Sequence, residues 1–378
     1  MGAVRPRKVI LLVVLGALAV GAALAYARYR RDLADALLRI ATGSEVAQTP
    51  CGPVEYAVVG EGPAVLLVHG AGGGFDQTLD AARELAASGF RVIVPSRFGY
   101  LRTPQRSDAT PAAQADAHAC LLDALRVPRA AVIGVSAGAP SSLQFALRYP
   151  QRCTGLVLLV PMAYSPGFRP SPRARLIEET IGSDFAYWLL ARGAASTIMG
   201  TPAGVVARAD DAEKARFARY ALQPLPVSER REGLLNDLTV VSNLQPYEIE
   251  RIGAPTLVIS ARDDLWGSYQ GAIYTAQHIP GARFVALPDG GHLWIGHHRE
   301  VMGETAAFLT ANARCRAARK RRRGPRSPGR CRSKARSGGR RRCSLRRSGW
   351  PARPSDRGCR RRSGGVRRGR KHEAQPRP

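Results

Sequence analysis

Hydrophobic and polar positions divide this chain into three regimes. From Val9 to Ala27 the sequence VILLVVLGALAVGAALAYA carries no charge at all. Between about residues 51 and 313, short apolar runs alternate with segments whose apolar residues recur at helical spacing. Beyond Arg314 the only large aliphatic side chains are Leu345 and Val366.

The middle regime predicts strands at Val54–Val59, Ala64–Val68, Arg91–Pro95, Ala130–Ile133, Gly155–Val160, Pro255–Ser260 and Arg283–Leu287. Helices are predicted between them: Thr78–Ala87, one from Pro111 capped by Thr110, Pro140–Arg148, Tyr269–His278 and His297–Ala311. Regular alternation of this kind implies βαβ units, a mostly parallel sheet and helices on both of its faces. The alternation breaks from about 162 to 245, where only amphipathic pieces such as Arg173–Arg192 and Asp210–Ala221 occur. That break reads as a helical lid inserted after the sixth strand, or as an extra layer of helical packing.

The first regime is about 19 residues long, enough to span a bilayer, and basic residues flank it: Arg5, Arg7 and Lys8 before, Arg28, Arg30 and Arg31 after. Residues 1–31 are therefore expected to be a transmembrane anchor or a signal segment, with 32–50 as a polar spacer. Ala23-Leu24-Ala25 resembles a cleavage site, but the run is longer than a usual signal core and cleavage would leave three arginines at the new terminus. An uncleaved single-pass anchor at 9–27, with the body exported, is the expectation.

Charge is concentrated in the third regime. Residues 314–378 hold 27 of the 57 Lys and Arg but only Asp356 and Glu373 of the 29 acidic residues, so the body is almost neutral. Net charge thus says nothing about the partner of the folded part, and no specific nucleic-acid binding is expected of it. The tail cannot bury enough apolar surface to offset its ordering entropy and is expected to be disordered. A cationic arm, a solvated tail and the product of a shifted reading frame all fit its composition. The body has three cysteines, Cys51, Cys120 and Cys153, which suggest buried free thiols rather than a disulfide framework. No Cys/His spacing resembles a metal site, and no cofactor is expected.

Candidate chemistry begins at Gly134-Val135-Ser136-Ala137-Gly138, a G-x-S-x-G pattern between a strand and a helix. Small residues there permit a sharp turn that lifts the Ser136 hydroxyl above the sheet. A serine needs a base, and the base a carboxylate. His292 lies in the glycine-rich loop Pro288–His292 after the last strand. Asp264 follows the Thr256–Ile259 strand, with Asp263 as runner-up. Donors for an oxyanion are expected from the N–H groups of Ala137 and, in the loop His69–Gly74, of Ala71 or next Gly72. Phe75, Tyr100, Trp266 and Trp294 lie near these motifs in sequence and are candidates to line a substrate pocket. The glycine-rich loop lacks the Gly-Lys-Ser/Thr ending of a phosphate loop.

His69-Gly70, the Ser136 elbow, Asp264 and Gly291-His292, in this order, resemble the α/β-hydrolase fold family over roughly Cys51–Ala311. The resemblance implies an eight-stranded-type sheet, a lid after strand six, a Ser/Asp/His triad and no cofactor. Ser96 stands where the family's strand-four loop commonly has aspartate, and Ser136 excludes chemistry that uses an aspartate nucleophile. The expected activity is that of a serine hydrolase on a small, largely apolar ester. C–C hydrolysis, peptidase action, acyl transfer and perhydrolysis remain open, because the lid chooses the substrate. The contrasting class is a non-catalytic anchored binding protein, or nucleic-acid binding through the tail.

Overall fold

Strands buried on both faces must be apolar throughout, and the short runs satisfy this by assembling into one eight-stranded sheet in the computed structural model, which describes residues 6–169, 171 and 173–322. The strands are β1 (Glu45–Thr49), β2 (Gly52–Val59), β3 (Ala64–Val68), β4 (Arg91–Pro95), β5 (Ala130–Val135), β6 (Cys153–Leu159), β7 (Thr256–Ala261) and β8 (Arg283–Leu287), ordered β1-β2-β4-β3-β5-β6-β7-β8. The β1–β2 and β2–β4 pairs are antiparallel, and every pair from β4 to β8 is parallel.

Alternate residues of each strand feed two cores. Leu66, Val68, Val132, Leu156, Leu158 and Val258 pack with α3 (Pro111–Ala124), α4 (Ala139–Arg148) and α11 (Ser268–His278). Val65, Leu67, Ile133, Val157, Leu257 and Ile259 pack with α2 (Leu79–Ala87) and α12 (His298–Arg322) on the other face. The chain leaves β3 for β4 on one side and, later, reaches β5 on the other. The carboxyl ends of β3 and β5 are therefore a topological switch point, where loops diverge and leave a crevice.

The lid comprises α5 (Arg173–Thr180), α6 (Asp184–Gly193), α7 (Ala195–Ile198), α8 (Ala203–Arg208), α9 (Asp211–Leu222) and α10 (Arg231–Ser242). It lies between β6 and β7 in the chain, as expected.

Three expectations are corrected. The spacer at 32–50 is ordered: α1 (Pro6–Ala41) continues without a break through the apolar run to Ala41, and β1 follows. Its apolar portion is exposed, from Ile10 at 63 % to Leu24 at 67 %, whereas Tyr29 and Ala36 are buried against the lid. Cys120 is not a free thiol, since it forms a disulfide with Cys51 across Cα atoms 6.1 Å apart; Cys153 is a buried thiol that donates to the Gly155 carbonyl at 3.5 Å. The closing helix runs past Ala311 to Arg322. The remainder of the basic tail, 323–378, lies outside the described residues.

Candidate active site

Ser136 follows the last residue of β5 with φ at +49°, in the left-handed region, and a single 3-10 turn over Ser136–Gly138 leads directly into α4. Such a conformation in a non-glycine residue costs about 1–3 kcal/mol and persists only where surroundings enforce it. The two flanking glycines make it possible. A Cβ on Gly134 would lie 2.5 Å from Ser142 Oγ, and one on Gly138 would lie 2.6 Å from the His69 carbonyl oxygen. The serine thus stands at the switch point, 9 % exposed, beside the loop that follows β3.

Two other loops converge on it. His292, in a 3-10 turn after β8, places Nε2 2.8 Å from Ser136 Oγ and Nδ1 2.7 Å from Asp264 Oδ2. Asp264, its side chain fully buried, also accepts hydrogen bonds from the Trp266 N–H at 2.8 Å and from the Ser268 hydroxyl. The runner-up Asp263 does something else: its carboxylate accepts from Gly291 N–H at 2.8 Å and so holds the histidine loop. One acid faces the imidazole while its neighbour fixes the backbone that carries the imidazole.

Ala71 and Ala137 both border the cavity that opens over Ser136. Ala71 and Gly72 differ in how their N–H groups are engaged. The Gly72 N–H donates to the Tyr100 hydroxyl at 3.2 Å and the Gly70 N–H to Gln77 Oε1 at 3.0 Å, so both neighbours of Ala71 are already committed. The cavity is about 170 Å³ and is walled by Leu67, Ile133 and Leu159 from the sheet and by Ile177, Met199 and Leu238 from the lid. Trp266 and Trp294 line it as expected, but Phe75 and Tyr100 do not. Both are fully buried behind the loop, where Phe75 N–H donates to Ser96 Oγ and Tyr100 packs edge-on against His69 with ring centroids 4.7 Å apart.

His69 is a structural group. Burial, and the Arg97 guanidinium after it, hold its pKa well below the ordinary value, so it is neutral. Nδ1–H donates to the Gly70 carbonyl at 2.7 Å and Nε2 accepts the Arg97 N–H at 2.9 Å. The missing aspartate at Ser96 is supplied from another strand: the Ser96 hydroxyl donates to the buried Glu55 carboxylate of β2 at 2.7 Å.

Sequence reasoning missed three lid groups. The Gly200 carbonyl accepts from both His292 N–H at 3.1 Å and Leu265 N–H at 3.0 Å, so one lid peptide ties the His292 loop to the Asp264 loop. Asp237 of α10, buried, accepts from both terminal nitrogens of Arg97 at 2.6 Å and from the Tyr100 hydroxyl. Arg230, fully buried, pairs with Asp76 at 2.8 Å and donates to the Gly73 carbonyl. Despite the cost of its burial, Arg230 and then Arg39 hold the Asp76 carboxyl below the ordinary carboxylate range. Among the described residues no cluster of His, Cys, Asp or Glu is suited to a metal ion.

A family model described as alpha/beta hydrolase fold matches residues 63–296. The chain is 30% identical over 273 residues to the "Uncharacterized hydrolase YcgS" of Bacillus subtilis (strain 168), covering 68% of this chain and 94% of that one. It is 25% identical over 276 residues to the 2-hydroxy-6-oxo-6-phenylhexa-2,4-dienoate hydrolase of Burkholderia cepacia, over 67% of this chain and 89% of that one. Among solved structures, an alpha/beta hydrolase fold protein from Nakamurella multipartita superposes with a TM-score of 0.59 at 31% identity, covering 71% of this chain and 99% of the other.

Proposed function

The chain belongs to the α/β-hydrolase fold family, and from that premise we propose that it is a membrane-anchored serine hydrolase of apolar acyl esters. The observation that carries this is the continuous line Ser136 Oγ, His292 and Asp264, with contacts of 2.8 and 2.7 Å.

In this reading His292 takes the Ser136 proton as Oγ attacks the ester carbonyl, and Asp264 keeps Nδ1 protonated and stabilises the imidazolium. The negative oxygen of the tetrahedral intermediate is received by the N–H groups of Ala71 and Ala137, a type of contact worth about 10²–10³ in rate per donor. The alcohol departs with the proton from His292, leaving an acyl-Ser136 ester. Water, deprotonated by the same imidazole, then attacks that ester and releases the carboxylic acid. The strain held at Ser136 and the dipole of the following helix both favour an exposed nucleophile beside a developing anion.

A second reading, C–C bond hydrolysis, rests on the likeness to the phenylhexadienoate hydrolase together with an apolar cavity able to take an aromatic group. For location, the 36-residue α1 is long and apolar enough to cross a membrane. The Cys51–Cys120 disulfide supports a body on the oxidising, exported side.

The test is covalent labelling with a fluorophosphonate. Wild type should be labelled at Ser136 and lose all esterase activity, whereas Ser136→Ala should be inactive from the start and unlabelled; equal labelling of both, or of neither, would remove Ser136 from the mechanism.

A further inference from the structure

α1 does not end where its apolar run ends. Arg28, Arg30 and Arg31 mark the boundary at which an inserted helix meets the aqueous phase, because basic side chains there reach out to the headgroups. At that level the helix is already engaged with the lid. Phe185 of α6 lies with its ring centroid 6.1 Å from Tyr26 and 5.0 Å from Tyr29, and Trp188 of α6 is 5.9 Å from Tyr29. The Trp188 indole N–H donates to Asp32 at 2.7 Å, so polar contacts fix the aromatic cluster in place. One helical turn beyond, Ala36 is buried, and Arg39 clamps Asp76 and the carbonyls of Gln223 and Leu225.

Two tyrosines, a phenylalanine and a tryptophan at the edge of an apolar span form the belt that membrane proteins place at the bilayer interface. Here half of that belt belongs to the lid. The next residue of α6, Leu189, is a large apolar side chain left 48 % exposed. Tyr187, between Phe185 and Trp188 in sequence, turns the other way: it is buried and lines the cavity over Ser136. One helix, ten residues long, therefore has a face against the juxtamembrane segment and a face on the substrate cavity.

We infer that α6 is seated in the membrane interface and that the site draws its substrate from the bilayer, the substrate class being long-chain acyl esters of membrane lipids. This rests on the serine-hydrolase reading and specifies its substrate. An acyl chain leaving the bilayer core exchanges one apolar environment for another when it enters a cavity walled by Ile177, Met199 and Leu238. The scissile ester of such a lipid lies at headgroup depth, the level at which the lid meets α1.

The experiment uses the full chain reconstituted in phosphatidylcholine vesicles. Hydrolysis of 1-oleoylglycerol is followed at constant bulk concentration while its mole fraction in the bilayer is varied, with p-nitrophenyl butyrate as a water-soluble ester in parallel. A tenfold rise in mole fraction should raise the oleoylglycerol rate about tenfold, by mass action in the surface, and leave the butyrate rate unchanged. Leu189→Glu should lower the oleoylglycerol rate about tenfold by weakening interfacial seating, again without touching the butyrate rate. Butyrate cleavage with an oleoylglycerol rate that is absent, or indifferent to mole fraction, overturns the bilayer supply while the hydrolase reading stands. Failure to cleave either ester, together with no fluorophosphonate labelling, overturns both.

Discussion

Removing the Asp237 carboxylate isolates the most tightly held charge between lid and site. In Asp237→Ala the Arg97 guanidinium, 6 % exposed, loses two contacts of 2.6 Å and the Tyr100 hydroxyl loses its acceptor. A buried cation left without its partner destabilises by about 3–5 kcal/mol. At about 2–4 °C per kcal/mol for a domain of this size, the melting temperature should fall by about 6–20 °C. The same change should be felt at the reacting centre. Arg97 also donates to the His69 and Gly70 carbonyls, both at 3.1 Å, and Tyr100 receives the Gly72 N–H, so the loop that presents Ala71 is held through this group. Fluorophosphonate labelling, measured below both melting temperatures, should slow about tenfold or more as the Ala71 donor drifts. The double variant Arg97→Met with Asp237→Leu separates the two effects. Replacing both charges by apolar groups should restore stability to within about 1–2 kcal/mol of wild type, while labelling stays slow because the Arg97 donors are gone. Thermal unfolding of wild type, the single variants Arg97→Met and Asp237→Leu, and the double variant in one detergent completes the cycle. A single variant that melts within about 2 °C of wild type, or a double variant as unstable as the two singles added together, would refute the argument.

Two further outcomes follow from buried groups. Burial, and the Arg97 charge after it, push His118 from 6.5 down to about 3. The unfolded chain therefore binds a proton that the folded chain refuses; the stabilisation is complete above pH 6.5 and is lost as pH falls toward 3. At pH 5 the loss should be about 2 kcal/mol relative to pH 8, and His118→Leu should flatten that slope in denaturant titrations; parallel slopes would exclude His118 as its source. Gly200 has φ at +60°, and an added Cβ would fall inside the Trp266 indole. Gly200→Ala should therefore move the carbonyl that holds His292 and Leu265 and lower kcat by about 10²-fold, with an unchanged kcat counting against a positioning role for that peptide.

Most of the sheet was legible because parallel strands buried on both faces must be continuous apolar runs, and each run from Ala64–Val68 to Arg283–Leu287 formed a strand. β1 was not, because Glu45–Thr49 is an antiparallel edge strand with no fully buried residue and so carries no such run. The helical course of 28–41 was hidden by its charges, of which Asp32 and Arg39 are spent on tertiary contacts with the lid and with Asp76. The meeting of Ser136, Asp264 and His292 was legible, since each follows a strand in a loop of recognisable type. The groups that hold them were not. Gly200 acts through its main-chain oxygen, which leaves no mark on residue type. Asp237 and Arg97 are 140 positions apart, Cys51 and Cys120 are 69 apart, and no local pattern links partners at such separations. Phe75 and Tyr100 failed as pocket residues for the converse reason: nearness in sequence to a glycine-rich loop does not say on which side of that loop a ring will pack.

The lid contacts also constrain how this hydrolase can open. A cover that closed over a finished site could swing away and leave the chemistry intact, but here the lid is part of the chemistry's support. Gly200 binds the His292 and Asp264 loops, Arg230 binds the loop after β3 and Asp237 the loop after β4, each through a buried ion pair, and Arg39 ties the same Asp76 to α1. Displacing α10 or the 199–201 segment would expose charges at a cost of several kcal/mol each and misplace the serine's partners. α6 is held differently: its contacts with α1 are aromatic rings and polar bonds to Asp32, part of them solvent-exposed. Such contacts are weaker to break, and they face the side on which the bilayer would lie. Passage into the cavity is thus cheapest through movement of α6 against α1, with the remainder of the lid fixed, so the element that the proposed seating would put nearest the membrane is also the one that can admit a substrate without disturbing Ser136.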